Sequence, residues 1–494
     1  MKKKIAIIGS GFSSLAAAAC LAKEGHEVHV FEKNNGLGGR ASQTIVDGFI
    51  FDMGPSWYWM PEVFENFFLH FGKKTSDFYD LVRLNPSYTV VFSKGDIVDL
   101  PANYEELKAL FEQLEAGAGA NLDLFLAEAE YKYKVGMQEF VWKPGTSIME
   151  FADLRVVTSL FKLDMLTSVS SQVCKLFKNE KIRKILEFPV LFLGATPEKT
   201  PALYSLMNYA DIKLGTWYPI GGMHKIVEGM VSVGRDLGVN YHTNHAVDAI
   251  NVNGGIAQSI KIGDAKVTFD YLVAGADYEH VEQNLLPPAA RMYDFKYWDS
   301  RTMAPSSLLF YLGLKKKMTG VHHHTLFFDA DFKKHALEIY ESPQWPTDPL
   351  FYMCVPSITD ESVAPEGCEN VFLLLPLAPN LKDDHELREK YFDLMCDRVF
   401  DVFGYDIKDN ILFKRSFCVD DFTSEYNAYK GNAYGLANTL KQTAFLKPKL
   451  RSDKVSNLFF TGQLTSPGPG MPPSIISGQV VSKMICENIK KSFG

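Results

Sequence analysis

Three small residues near the start of the chain have the spacing that could hold a phosphate-bearing ligand. Gly9, Gly11 and Ser14 follow a short apolar segment and open an alanine-rich one. The first glycine permits a tight turn, the second lets the backbone approach a pyrophosphate, and the positive end of a helix faces that charge. Glu32 lies 21 residues after Gly11, where a carboxylate reaches ribose hydroxyls. The pattern predicts a dinucleotide site whose third small position is serine instead of glycine.

The elements that must position these residues are predicted by the same segment. Residues 5–8 and 28–31 are apolar and predict two strands, with a helix between them. Gly38, Gly39 and Arg40 follow the second strand and offer further amides and a cation to the same diphosphate. A secretory signal ending at Cys20 is the alternative interpretation, but glycine and serine residues interrupt the apolar core that such a signal needs.

Length, charge and cysteine content restrict the class of protein. A chain of 494 residues predicts two or three lobes, and a net charge of -8 without a basic stripe argues against a nucleic-acid partner. Seven scattered cysteines without CxxC pairs predict free thiols in a reducing, cytoplasmic compartment and neither disulfides nor zinc. Apolar runs are too short to predict a transmembrane helix. Aromatic residues make up 13 % of the chain, which suits an apolar ligand as well as a large core.

The order of strand and helix patterns predicts an α/β protein with a discontinuous first domain. Strand–helix character at the start returns at residues 221–290 and again at 450–494. We therefore predict a three-layer Rossmann-like nucleotide-binding domain from residues 1–80, 221–290 and 450–494. The intervening residues, 81–220 and 291–449, are predicted to form an inserted α+β substrate domain of mixed sheet and helices.

A second glycine-rich loop stands near the other end of the chain. Residues 458–460 predict a buried strand, Gly462 follows it, and the glycines and prolines of residues 467–473 precede a helix predicted from Ser474 to Asn488. A helix that begins there could present its N-terminus to phosphates or to a flavin ring. Together with the first loop, this arrangement is what a large flavin nucleotide needs.

At this level of detail the chain resembles the bacterial-type carotenoid desaturases, most closely the phytoene desaturases of the flavin amine oxidase superfamily. The resemblance implies FAD as cofactor and hydride transfer from a C40 polyene to the flavin N5. Phytoene is the implied substrate and lycopene the expected product. It also implies a cytoplasmic enzyme on the inner face of the cell membrane that takes its carotenoid from the bilayer, with oxygen or a quinone as re-oxidant. The segments that carry the resemblance are GSGFSSLAAA, EKNNGLGGRA, DGFIFDMGPSWYWMP, LGTWYPIGGMHKIVEGM, PSITDESVAPEG, YKGNAYGLANTLKQTA and NLFFTGQLTSPGPGMPPSIISGQ.

The resemblance also implies the cofactor contacts, position by position. The first loop holds the diphosphate, Glu32 the adenosine ribose, and the backbone of Val247 the adenine, while later segments approach the flavin and its ribityl chain. Three positions depart from the family pattern: Ser14, Gly275 and Gln463. The implied cofactor-binding residues are Gly9, Gly11, Phe12, Ser13, Ser14, Glu32, Gly38, Gly39, Arg40, Gly54, Pro55, Ser56, Trp57, Val247, Gly275, Gly462, Gln463, Gly470 and Met471.

No catalytic set stands out, and three residues are weak candidates. Asp211 could accept a proton, although a surface acid or a helix cap is the alternative, and Trp57 could face the polyene or be part of the core. His323, within the run His322–His324, could line a substrate tunnel. Consecutive side chains of a strand point to opposite faces, so we expect this run to bind no metal.

Several functions and one membrane contact stay open. Alternatives to phytoene desaturation are a later-acting desaturase on a hydroxylated or cyclic carotenoid, such as a 1-hydroxycarotenoid 3,4-desaturase, and a redox-neutral carotene isomerase. A flavin amine oxidase with a small polar substrate and a non-enzymatic binding protein are others. Phe151–Phe177 has the mixed apolar and lysine pattern of a helix in the headgroup region, or of one packed on its own domain.

Overall fold

The computed structural model describes residues 2–145, 167–439, 442–443 and 446–491. Of the predicted membrane contact Phe151–Phe177, residues 151–166 therefore lie outside the described residues. Within the described ranges, no helix combines the length and the apolar character that crossing a bilayer requires.

The strands and helices have the following bounds. The strands are β1 (Lys4–Ile8), β2 (Glu27–Phe31), β3 (Gln43–Val46), β4 (Phe49–Asp52), β5 (Leu81–Arg83), β6 (Tyr88–Ser93), β7 (Asp96–Leu100), β8 (Trp217–Pro219), β9 (Asn240–His242), β10 (Ala249–Asn253), β11 (Ile256–Ile262), β12 (Ala265–Thr268), β13 (Tyr271–Ala274), β14 (Ser306–Leu314), β15 (His324–Phe327), β16 (Phe351–Cys354), β17 (Glu369–Leu377), β18 (Ile411–Phe417) and β19 (Leu458–Phe460). The helices are α1 (Phe12–Lys23), α2 (Pro61–Leu69), α3 (Tyr104–Leu114), α4 (Ala118–Val135), α5 (Val169–Leu176), α6 (Glu180–Glu187), α7 (His224–Asp236), α8 (Phe295–Asp299), α9 (Phe332–Tyr340), α10 (His385–Phe403), α11 (Val419–Tyr426) and α12 (Met471–Lys491).

The first of two large sheets is parallel and has five strands in the order β19-β13-β1-β2-β9. Its middle strand, β1, alternates between the two faces. Ile5 and Ile7 pack in one core with the helix α1, whereas Ala6 and Ile8 pack in another with the antiparallel strands β10 and β11. Helices, parallel sheet and the small β10-β11-β12 sheet thus form three layers, because both faces of a buried parallel strand must be covered.

The helices α1 and α12 come from opposite ends of the chain and pack closely together. A Cβ on Gly478 of α12 would overlap the carbonyl oxygen of Ser13 and lie 2.9 Å from Ala16 Cβ. Only glycine allows this approach. It places the two helix N-termini, with their glycine-rich loops, side by side.

The second large sheet is mixed and has seven strands in the order β18-β14-β17-β16-β15-β6-β7. Leu308, Phe310 and Leu312 of β14 pack in one core with α10. The alternate residue Tyr311 faces the other way and contacts Phe51 of the β3–β4 hairpin at a ring distance of 6.0 Å. One face of this sheet therefore packs against the β3–β4 hairpin.

Most of the predicted elements are present, and the differences have local causes. The predicted strands β1, β2 and β19 and the helix α1 are confirmed, but β6, β7 and β16 were not predicted. Val90 and Val91 of β6 are both buried, so the strand lacks the alternation that identifies one. The helix α12 begins at Met471 and not at Ser474. Pro472 and Pro473 fit its first turn, where amide groups have no helical partner.

Candidate functional site

The first glycine-rich loop forms an open cradle at the N-terminus of α1. Gly9 has φ +89, and a Cβ there would lie 3.1 Å from the amide nitrogen of Ala276. A Cβ on Gly11, the residue that caps α1, would meet no atom of the described residues within 4 Å. The amides of Phe12 and Ser13 belong to the first helical turn, where no intrahelical acceptor is available. This cradle therefore has space and donors for a phosphate group.

Gly38–Arg40 forms the opposite wall of the cradle. The amide of Gly38 donates to Ser10 O at 3.1 Å, and a Cβ on Gly39 would lie 3.4 Å from Gly11 Cα. Arg40 donates from Nη2 to Asn432 O at 3.3 Å, while its Nε is buried without a partner among the described residues. An unpaired buried guanidinium donor at this place fits an anionic ligand.

Glu32 is buried at the end of β2 and is held in place by three donors. Its Oε2 accepts from the amide (3.0 Å) and the hydroxyl (2.7 Å) of Ser10, and its Oε1 accepts from the Asn34 amide at 2.9 Å. The His245 amide donates to Glu32 O at 2.8 Å and so brings the loop that carries Val247 alongside. Oε1 accepts only one of these hydrogen bonds and so keeps a lone pair with which it could accept from a ribose hydroxyl.

Ser14 and Gly275, two of the departures from the family pattern, pack against each other. A Cβ on Gly275 would overlap Ser14 Oγ and lie 3.3 Å from Ser14 Cβ. Ser14 Oγ is buried and has no hydrogen-bond partner among the described residues. Because Gly275 has no side chain, helix and strand can pack closely although position 14 carries serine and not glycine.

The second glycine-rich loop lies directly beside the first. Gly462 has φ +112, and a Cβ there would lie 3.3 Å from Ser13 Oγ. Gln463 Nε2 donates to Asn432 Oδ1 at 3.2 Å, so Asn432 connects this loop to Arg40. Gly470 is exposed with φ +110, and Met471 begins α12. Sequence reasoning missed Asn432, whose role depends on the fold and not on a local pattern.

The segment Gly54–Trp57 connects the cradle to an aromatic cluster. A Cβ on Gly54 would overlap Arg40 O, so only glycine fits here, and Pro55 and Ser56 are half-buried. The Trp57 ring stacks on His324 with centroids 4.1 Å apart and an interplanar angle of 11°. Other rings within 6 Å of Trp57 belong to Trp59, Tyr88, Phe188 and Tyr352.

His323 and His324, here called the histidine pair, are both buried in this cluster. His323 Nδ1 is 2.8 Å from Thr359 Oγ1, and His324 Nδ1 is 2.7 Å from the Tyr352 hydroxyl. Both Nε2 atoms are buried without a hydrogen-bond partner among the described residues. Burial lowers the pKa of His323 to about 3 and lowers the pKa of His324 well below its usual value, so both rings are neutral.

The expectation that the histidine run binds no metal stays a prediction, although the strand alternation used to argue for it does not extend to His323. The strand β15 begins only at His324, so His323 does not obey strand alternation and the two rings are 4.5 Å apart. Ligand atoms of the pair and of Cys354 all lie within 4.8 Å of one another. Burial raises the pKa of the Cys354 thiol to about 12, which keeps it protonated when no ion is bound.

Asp211 lies in the protein interior, so the expectation of a surface acid or helix cap is wrong. Its Oδ2 accepts from the Tyr88 hydroxyl at 2.9 Å and its Oδ1 accepts from Thr216 Oγ1 at 3.0 Å. Burial raises its pKa to about 6. Tyr88, whose ring is 5.4 Å from that of Trp57, connects this carboxyl group to the aromatic cluster.

Comparisons with known proteins agree with this architecture. A family model described as flavin containing amine oxidoreductase matches residues 12–486. The carotenoid 3,4-desaturase of Haloarcula japonica is 42 % identical over 488 residues, covering 98 % of both chains. The zeta-carotene-forming phytoene desaturase of Myxococcus xanthus is 31 % identical over 490 residues, covering 98 % of this chain and 94 % of that one. An oxidoreductase structure from Methanosarcina mazei superposes with a TM-score of 0.66 at 16 % identity, covering 97 % of this chain and 100 % of the other.

These similarities extend over nearly the full length of the relatives and so apply to the regions around both large sheets. The structural likeness confirms the α/β nucleotide-binding fold with a substrate domain, and the family confirms FAD as the cofactor. The cradle fits this cofactor, since it offers open space at Gly11 and, on Arg40, a donor that no described residue pairs with. The chain belongs to the flavin-containing amine oxidoreductase family and, within it, to the FAD-dependent carotenoid desaturases.

Proposed function

We propose that this enzyme desaturates the C3–C4 bond of a 1-hydroxycarotenoid, with FAD held between the two glycine-rich loops. The observation that carries the proposal is the histidine pair, whose two buried Nε2 atoms beside Trp57 have no hydrogen-bond partner in the described part of the chain. The name of the Haloarcula japonica relative, a carotenoid 3,4-desaturase, supports the position of the new double bond.

A purely hydrocarbon substrate would not satisfy these nitrogens. An unsatisfied buried polar group costs about 1–3 kcal/mol, and phytoene has no donor or acceptor to offer. The Tyr352 hydroxyl donates to Ser56 Oγ at 3.1 Å, so its oxygen can accept the proton of His324 Nδ1. That tautomer leaves a free lone pair on His324 Nε2, which can accept a hydrogen bond from a substrate hydroxyl.

The position of the pair also suits the bond that would react. In a carotenoid end group only C2 lies between the hydroxyl-bearing C1 and C3. A residue that binds the hydroxyl must therefore lie beside the hydride acceptor. Trp57 stacks on His324 and belongs to the segment that the family resemblance places next to the flavin. The substrate hydroxyl would then be bound at the same place at which the C3–C4 bond is desaturated.

When bound, FAD supplies the hydride acceptor. The hydride leaves C4 with its electron pair, since the cation left there is delocalised into the adjacent polyene. C3 then loses a proton to a weak base, and the electron pair of that C–H bond forms the new double bond. The aromatic rings around Trp57 keep the site dry and can stabilise positive charge over their faces. The reaction therefore needs no strong base, which agrees with the absence of a clear catalytic set in the sequence.

The test compares two substrates with the same FAD-loaded protein in liposomes under anaerobic conditions. We expect flavin bleaching and a stoichiometric new double bond with a 1-hydroxycarotenoid, and neither with phytoene. Conversion of phytoene at an equal rate would return the assignment to phytoene desaturation. Altered double-bond geometry without bleaching would instead indicate a redox-neutral isomerase.

Variants of the histidine run test the part of the proposal that concerns the hydroxyl. His324→Phe keeps a flat ring against Trp57 but removes the acceptor, so we expect at least a tenfold loss of kcat/KM for the hydroxylated substrate. His322→Gln is the matched control, because that side chain is 41 % exposed. A normal rate for His324→Phe would contradict the role of the pair.

We also propose that the substrate is taken from the inner leaflet of the cell membrane, and that oxygen or a membrane quinone re-oxidises the flavin. The apolar and lysine pattern of Phe151–Phe177 supports the first statement. Leu160→Glu with Phe161→Glu should release the protein from liposomes in a flotation assay without loss of FAD. Unchanged flotation would exclude this segment as the contact.

A further inference from the structure

Lys447 is a lysine whose side chain lies in the protein interior, with only 4 % of the residue exposed. Its Nζ donates to Asn438 Oδ1 at 2.8 Å, and within the described residues it has no other hydrogen bond and no ion pair. An ammonium group has three donors, so two are left. Burial without a nearby carboxylate lowers its pKa to about 7.

The ammonium group lies against the second glycine-rich loop. A Cβ on Gly468, which has φ +139, would be 2.7 Å from Lys447 Nζ and 3.4 Å from Asn438 Oδ1. Gly468 therefore lets the charged end reach the loop backbone. The same loop continues through Gly470 into Met471, the first residue of α12.

A buried cation of this kind needs a negative partner, because desolvation of an ammonium group is costly unless a charge or several hydrogen bonds offset it. The described residues supply one amide oxygen. The loop it touches is the loop that, under the proposed function, closes on the flavin. A flavin offers carbonyl oxygens on its pyrimidine ring and gains negative charge when it accepts a hydride. The partial positive charge at the N-terminus of α12 acts in the same direction.

We infer that Lys447 is a positioning residue for FAD, whose ammonium group faces the pyrimidine edge of the flavin and makes the bound flavin a stronger hydride acceptor. The inference deepens the proposed function and rests on its assignment of the second loop to FAD, but it does not depend on which carotenoid is bound.

Sulfite is a probe that tests this without any carotenoid. It adds to an oxidised flavin and leaves a negative charge on the ring, so a cation at the pyrimidine edge tightens its binding. In FAD-loaded Lys447→Met we expect the Kd for sulfite to rise at least tenfold. The two-electron midpoint potential should fall by about 30 mV for each tenfold. Lys447→Arg keeps the charge and should stay within threefold of the unmodified protein.

Lys449→Met is the matched control, because Lys449 is two residues away, is exposed and pairs with Asp453. It should leave sulfite binding and potential unchanged. An unchanged sulfite Kd and potential in Lys447→Met would overturn the inference. Weaker FAD binding with an unchanged potential would also overturn it, in favour of a contact with the diphosphate. Should Lys447→Met fail to fold, Lys447→Gln replaces it as an uncharged donor, and the same two outcomes decide.

Failure of this inference can be told apart from failure of the FAD assignment. Arg40 belongs to the wall of the cradle and bonds to Asn432 O, whereas Lys447 bonds to Asn438. If Arg40→Gln weakens FAD binding while Lys447→Met leaves the potential unchanged, the cradle stands and the inference falls. If Arg40→Gln has no effect on FAD binding, the cradle assignment falls first.

Discussion

The contact between Ser14 and Gly275 leads to a quantitative prediction about the free energy of unfolding. Gly275→Ala places a methyl group where it overlaps Ser14 Oγ, 3.3 Å from Ser14 Cβ. Overpacking of this kind costs about 1–3 kcal/mol of unfolding free energy. Ser14→Gly alone should cost only about 0.5 kcal/mol, the difference in helix propensity between serine and glycine. Its hydroxyl has no hydrogen bond to lose among the described residues.

The double variant should therefore be nearly as stable as Ser14→Gly alone, because the glycine removes the atom with which the new methyl group overlaps. The expected coupling free energy is about 1–2.5 kcal/mol in favour of the pair. Urea titration of the FAD-loaded proteins, followed by flavin fluorescence, measures it in the domain that carries the substitutions. FAD affinity should change little in the double variant.

Additive effects of the two substitutions would refute this reasoning. So would a Gly275→Ala protein as stable as the unmodified one, because the methyl group would then have space that the structure does not show. Ala19→Gly is a suitable control within α1, since it lowers helix propensity but lies five residues after Ser14 and so on a different face of the helix. It should not rescue Gly275→Ala.

Three further predictions concern the cradle and the aromatic cluster. Arg40→Gln should raise the Kd for FAD by roughly 10- to 100-fold, the loss of a charge-assisted hydrogen bond, in a fluorescence titration; an unchanged Kd would contradict it. Asp211→Asn should be more stable than the unmodified protein by up to about 3 kcal/mol at pH 8, because the folded pKa of Asp211 is raised from 3.8 to about 6 and ionisation therefore destabilises the fold. This gain should shrink as the pH falls from 6 to 4, and a gain independent of pH would contradict it. Dialysis against a strong chelator should leave the melting temperature and the rate unchanged, whereas a loss of either would assign a metal to the histidine pair and Cys354.

The sequence predicted the parts of the site that a local pattern encodes. The turn at Gly9, the open position Gly11 and the carboxylate Glu32 all follow from spacing within one β–α–β unit, whose geometry varies little. The loop from Gly462 to Met471 was also located, although its helix starts three residues earlier than expected.

The parts that were missed depend on contacts between residues far apart in the chain. Asn432 connects Arg40 to Gln463, and no pattern around Asn432 indicates this. The histidine run was judged by strand alternation, but its first two members precede the strand. Burial of Asp211 follows from its contact with Tyr88, which lies on a strand without alternating polarity. In each case tertiary packing, and not local preference, decides the outcome.

The strand order β19-β13-β1-β2-β9 has a consequence for synthesis on the ribosome. β1 is the middle strand, yet one of its neighbours, β13, is made only after some 260 residues, and β19 and α12 follow after nearly 200 more. At about 5–20 residues per second, the open edge of β1 waits roughly 15–50 s for its partner, during which a nascent chain can pair with the wrong strand. The second glycine-rich loop and α12 complete the cofactor site, so the site can be closed only after the last helix emerges.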